Sequence, residues 1–119
     1  MTHTTYGPAG VDVRFPGWEA AMAGRARVHV PSSAILSARA EPGWTSEILG
    51  VRSGLVVSGR RKLGTFTHPS GVRRLVSMKR GVPLLRLRTD RQQTGFDEIL
   101  LSTDDADRIV HEIDEDHAR

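Results

Sequence analysis

From Leu63 to Ile113 the chain alternates short apolar runs with turn signals and then enters an acidic amphipathic segment, and this order constrains the fold more than any other feature. Leu63 to Thr67, Val72 to Lys79, Leu84 to Thr89 and Phe96 to Leu101 read as strands. The turn chemistry of His68-Pro69-Ser70-Gly71 predicts a hairpin between the first two, and Arg80-Gly81-Val82 predicts a second hairpin into Leu84 to Thr89. Asp90 to Gly95 reads as a polar turn. Ser102 and Thr103 offer a capping hydroxyl, and Asp104, Asp105 and Asp107 complement the positive end of a helix dipole. Ala106, Ile109, Val110 and Ile113 then recur at helical spacing, so a C-terminal helix with one apolar stripe is expected to pack on the sheet. Alone it would be marginal in water.

The first half is less regular. Residues 1–10 are small and polar and are broken by Gly7, Pro8 and Gly10, which predicts a flexible N-terminal tail ahead of a single domain over 11–117. Val11, Val13 and Phe15 alternate with Asp12 and Arg14 before Pro16 and Gly17, with Trp18 just beyond, and Ala26, Val28 and Val30 alternate with Arg27 and His29. Both read as strands with one buried face. Ala34 to Ala40 is ambiguous between helix and strand, and its length and setting favour a strand. Between Glu41 and Gly59 the density of glycine disfavours helix and leaves a long connection containing Trp44 and one strand.

A chain of 119 residues suits one ordinary domain, and 38% hydrophobic with 26% charged residues is a globular balance rather than that of a disordered chain. No cysteine is present, which excludes disulfides, thiolate nucleophiles and cysteine-based zinc sites. The start MTHTTYGPAG has neither the basic nor the apolar region of a signal peptide, and no run of eighteen apolar residues occurs, so a cytoplasmic protein is expected.

The formal net charge of +3 conceals a segregation. Between Arg52 and Arg91 eleven arginines and lysines face the one acid Asp90, whereas from Phe96 onward nine acids face Arg108 and Arg119. Such polarity can attract an anionic surface to one side of the fold. It can also let a basic sheet and an acidic helix lie side by side, the commoner fate of such charges.

Catalytic signatures are missing. His3, His29, His68, His111 and His117 contain no pair at the four-residue helical spacing of a zinc motif, so no metal is expected. No Gly-x-Ser-x-Gly elbow, calcium-loop spacing or phosphate loop ending in Gly-Lys-Ser/Thr is present, and Ser53 and Ser58 read as loop residues. The expectation is a protein that is not an enzyme and needs no cofactor.

Arg61-Lys62-Leu63-Gly64-Thr65-Phe66, the hairpin through Lys79, the strand Leu84 to Leu87 and the Ile99-Leu100-Leu101-Ser102-Thr103-Asp104-Asp105 entry into the last helix resemble small bacterial PH-like domain proteins, particularly actinobacterial ones. The resemblance extends to Val11 to Phe15 with Gly17-Trp18 and to Val28-His29-Val30-Pro31 before Ile35. Where those proteins often carry a Pro-Gly-Thr-like segment, this chain has Gly50-Val51-Arg52-Ser53-Gly54. The fold implied is mainly β with one C-terminal α-helix, a bent antiparallel barrel of about seven strands that the helix caps. The function implied is binding. Arg60, Arg61, Lys62, Lys79 and Arg80, gathered at one end of the first hairpin, resemble in position the basic strand pair with which PH domains hold anionic headgroups, so an anionic lipid at a membrane surface or an acidic protein segment is the expected partner. An alternative is a protein-interaction or homo-oligomerisation module using an exposed strand edge or the two tryptophans. Nucleic acid is disfavoured, because few aromatic residues are left to stack bases.

Overall fold

A computed structural model of the chain describes residues 3–15, 27–41, 51–53, 56–57, 61–79 and 81–117. Ten strands and two α-helices are present among them, with one turn of 3-10 helix at Ser32–Ala34: β1 His3–Gly7, β2 Gly10–Arg14, β3 Arg27–Pro31, β4 Ile35–Glu41, β5 Val51–Ser53, β6 Val56–Val57, β7 Arg61–Thr67, β8 Arg73–Lys79, β9 Leu84–Thr89, α1 Arg91–Thr94, β10 Glu98–Ser102 and α2 Ala106–His117. The expectations for Pro16, Gly17, Trp18, Trp44, Gly50, Gly54, Ser58, Arg60 and Arg80 lie outside the described residues. The described chain is mainly β with a C-terminal helix, as expected, but the strands form two sheets and no closed barrel is found among the described residues.

β1, β2 and β3 form an antiparallel three-stranded sheet. Residues 3–7, expected in the tail, are its first strand. Gly7 pairs with Gly10 across a two-residue Pro8-Ala9 loop, the connection that closes a tight hairpin. Gly10 has φ +130°, and a Cβ there would stand 2.0 Å from the Val30 carbonyl oxygen, so only glycine lets β2 lie this close to β3. Val11, Val13, Val28 and Val30 turn inward and are buried.

The larger sheet has the order β4-β9-β10-β8-β7-β5, with β6 also pairing β7. The hairpin expected between β7 and β8 is present, from Arg61 opposite Lys79 to Thr67 opposite Arg73. The second expected hairpin is not. β8 and β9 are separated by β10, which runs antiparallel to β9 and parallel to β8. The reason lies in β10 itself. Ile99, Leu100 and Leu101 are consecutive and fully buried, so the strand needs cover on both faces and a neighbour on each edge. Taking the place between β8 and β9 supplies both neighbours, and it replaces the all-antiparallel sheet with one containing a parallel rung.

Each face of this sheet has its own apolar cluster. Leu75, Leu85, Leu87, Ile99 and Leu101 join the inward valines of the small sheet, Phe15, Phe96 and the helix residues Ala106, Ile109 and Ile113 in the main core. Leu100 faces the other way, with Phe66, Val76, Met78 and Leu84. β4 resolves its sequence ambiguity with a bulge: the register slips between Ile35 and Ser37, which leaves Ile35 in the core and Leu36 at 58% exposure.

The two segments between β9 and the last helix are locally determined. Asp90 caps α1 by accepting from the Gln92 amide at 3.0 Å, and Gly95 ends it in the left-handed region at φ 82°, so the expected polar turn is one turn of helix. At α2 the Thr103 hydroxyl accepts from the Asp105 amide at 3.2 Å. The Ser102 hydroxyl instead accepts from the Lys79 amide at 2.6 Å, tying the end of β10 to the end of β8. At the other end of α2, the Tyr6 hydroxyl donates to Asp116 and joins the first strand to the last helix.

Two outcomes follow from this packing. Ile109→Ala lowers the unfolding free energy by about 2 to 5 kcal/mol, measured by urea denaturation, since the side chain is fully buried in the main core. Burial, the hydrogen bond to Asp116 and the negative charges of Asp116 and Glu112 push the Tyr6 phenol up to about 12. The unfolded chain ionises its tyrosine first, near its ordinary value of about 10, so stability falls as pH rises between about 10 and 12. Tyr6 is the one tyrosine of the chain, so its tyrosinate absorbance measures the folded value directly, and a midpoint at the ordinary value would show that the link to Asp116 is not made.

Candidate anion-binding surface

The five residues expected to grip an anion are brought together only in part. Arg60 and Arg80 lie outside the described residues. Arg61 stands opposite Lys79 in the β7–β8 register, and Lys62 stands opposite Met78. Lys79 is exposed and Met78 is fully buried, so neighbouring rungs of the same strand end have unlike surroundings. Arg61 and Lys62 do not lie on a sheet edge, because β6 pairs with β7 through Val57 to Arg61 and Val56 to Lys62. The hydrogen bond from Lys79 to Ser102 holds the backbone of this corner in place. Among the described residues Lys79 makes no ion pair.

At the opposite end of the hairpin the basic residues are occupied. The Arg73 guanidinium lies 5.4 Å from the centre of the Phe96 ring, and Arg74 Nε donates to Glu98 Oε1 at 2.9 Å. This second bond belongs to a ladder that crosses four strands. Arg39 on β4 meets Glu41 at 3.5 Å, Glu41 Oε1 accepts from Arg86 Nε at 2.9 Å, Arg86 Nη1 donates to Glu98 Oε2 at 3.0 Å, and Glu98 reaches Arg74. Arg86 is only 8% exposed, so its charge depends on the two carboxylates that flank it. Arg88 lies exposed on the same strand with no ion pair among the described residues, beside a shallow cavity of about 260 Å³ that Ser37, Arg39, Arg86 and Glu98 also line.

Glu41 and Glu98 were not singled out by sequence reasoning: Glu98 lies in an expected strand, whereas Glu41, expected at the start of the long connection, is the last residue of β4. The signal available was charge alternation on the polar face, Glu98 against Arg86 and Arg88, but the strand order that makes them neighbours was not.

The acids at the start of α2 and along it find their partners close by in the chain or on β1. Asp105 and Glu112 pair with Arg108, Glu115 pairs with His111, and Asp116 accepts from Tyr6. Among the described residues no ion pair joins α2 to the segment from Arg52 to Arg91. The helix does lie beside the sheet, against β4 and β9, as expected of an acidic helix next to a basic sheet, and the ion pairs among the described residues form within the helix segment and within the sheets. Among the described residues no cluster of histidine and carboxylate groups has the makings of a metal site, and no helix is long and apolar enough to cross a membrane.

No protein-family model, curated protein or solved structure matches this chain.

The ladder makes its own prediction. Glu98→Ala leaves Arg74 and Arg86 without their shared partner at a site of low exposure, and lowers stability by about 3 to 5 kcal/mol in urea denaturation. A loss within about 0.5 kcal/mol, the range of ordinary surface changes, would show that the ladder is solvated.

Proposed function

We propose that this chain is a noncatalytic binding module of PH-like design, in which the Arg61–Lys79 end of the β7–β8 hairpin takes an anionic group, either a lipid headgroup or an acidic protein segment. The observation that carries this reading is the separation of charge: among the described residues no ion pair joins the acids of α2 to Lys79, which stands exposed opposite Arg61. Lys79 on a strand corner whose backbone is clamped to Ser102 attracts an anion without the entropic cost of loop ordering. A mainly β chain whose C-terminal helix packs into a core shared by two sheets supports the PH-like kinship. The parallel β8–β10 rung departs from the antiparallel barrel that kinship implies.

The test is sedimentation with vesicles containing phosphatidylserine at low salt. Each basic residue near such a surface contributes about 1 kcal/mol, so the double variant Arg61→Gln, Lys79→Gln binds about thirtyfold more weakly than wild type. Equal binding by both proteins, or no binding by wild type, would remove the headgroup form of the proposal.

A second reading rests on β4. This seven-residue strand stands at the end of the sheet order and presents Leu36 to solvent, which suits a protein-interaction or self-association edge. Light scattering across a concentration series distinguishes it, because Leu36→Lys abolishes any dimer that uses this edge and leaves a headgroup site on β7–β8 unchanged.

A further inference from the structure

The outward face of the three-stranded sheet was not expected to bind anything, yet its polar residues are arranged in two rungs. His3 on β1 stands opposite Arg14 on β2, which stands opposite Arg27 on β3, while Thr5 stands opposite Asp12 and Asp12 opposite His29. Like charges placed directly opposite each other on neighbouring strands destabilise a sheet. Here two guanidinium groups share one rung. Asp12 relieves only part of this: Arg27 Nη2 and Nε donate to it at 2.7 and 3.3 Å, and His29 Nδ1 lies 3.1 Å from the same carboxylate. Arg14 and His3 are exposed and make no ion pair or hydrogen bond among the described residues. A shallow cavity of about 510 Å³ opens on this face, lined by His3, Thr5, Asp12, Arg14 and Arg27.

We infer that this face is a binding site for a phosphoryl group, with Arg14 and Arg27 as its cationic clamp, His3 and Thr5 as further donors and Asp12 as the residue that positions Arg27. The fork geometry agrees. Asp12 holds Arg27 by Nε and Nη2, so Nη1 carries no hydrogen bond among the described residues, and the planar group is oriented before a ligand arrives. A tetrahedral dianion lying between Arg14 and Arg27 accepts from both and removes the repulsion along the rung. Hydrogen bonds from Arg27 and then from His29 hold the Asp12 carboxyl below the usual carboxylate range, so it stays ionised, and its charge is offset by the Arg27 guanidinium bound to it. The reverse side of the same strands, Val11, Val13, Val28 and Val30, is buried, which keeps the rung spacing rigid. This site lies on the small sheet and stands independently of the reading for the β7–β8 corner.

The experiment is an amide-resolved NMR titration of the full chain with inorganic phosphate at constant ionic strength, repeated with vesicles of phosphatidylcholine with and without phosphatidic acid. Saturable shifts centred on residues 3–5, 12–14 and 27–29, about tenfold weaker or more in Arg14→Gln, support the inference. Arg14→Gln also melts at the temperature of wild type or above it, because the like-charged rung is relieved; a residue kept only for structure would lower the melting temperature. Should Arg14→Gln fold poorly, Arg14→Lys keeps the charge without the fork and binds with intermediate affinity. Vesicle binding that needs phosphatidic acid and is lost in Arg14→Gln assigns the phosphoryl group to a lipid, and phosphate binding without vesicle binding assigns it to a soluble ligand. Absence of saturable shifts, shifts confined to 61–62 and 79, or an unchanged titration in Arg14→Gln overturns the inference.

Discussion

The sheet depends on β10. Its three consecutive leucine and isoleucine side chains leave the strand no face that can meet water, and burying them stabilises the fold by about 1.5 to 3 kcal/mol each. A strand of this kind is stable only in the interior of a sheet, and entry between β8 and β9 decides much else. Glu98 then lies beside Arg74 on one side and within reach of Arg86 on the other, and Ser102 lies beside Lys79. The same placement directs the chain into α2 where its apolar stripe completes the main core.

Electrostatics follow from that topology. Alternating Arg and Glu across β4, β9, β10 and β8 lets several charges sit at low exposure, because each carboxylate serves two guanidinium groups and each inner guanidinium has a carboxylate beside it. Along the helix Arg108 pairs with Glu112 and His111 lies against Glu115. Among the described residues Lys79, Arg88 and Arg14 are exposed cations without an ion pair, and two of them mark the candidate surfaces, the corner at Lys79 and the rung through Arg14. Both are backed by core, and a charge left without a partner on a rigid strand is the kind of feature that stability alone does not explain.

Much of the fold was legible. The alternation in β2, β3 and β9, the turn chemistry between β7 and β8 and the stripe of α2 each reflect which residues can face water, and that is a local property. Several elements were missed for identifiable reasons. β1 is polar on its outer face and short, so its pairing shows only in the two glycines that bracket Pro8-Ala9. The turn of helix at Arg91–Thr94 is too short for periodicity and is marked by its Asp90 cap and Gly95 stop. The hairpin expected between β8 and β9 failed because adjacency in the chain was taken for adjacency in the sheet, and a doubly buried strand overrode it. Of the candidate site, the corner residues were visible as a run of charge, whereas the Arg14–Arg27 rung was hidden, because the two arginines are thirteen positions apart and meet only through strand pairing.

The amino-acid order by itself determined the secondary structure class, the capped acidic helix and the separation of basic from acidic segments, since each depends on residues close together in the chain. Which cations remain unneutralised, and where they converge, was decided by tertiary structure alone. Charge–charge energies depend on distance in space, and strand order sets those distances between residues that the chain keeps far apart.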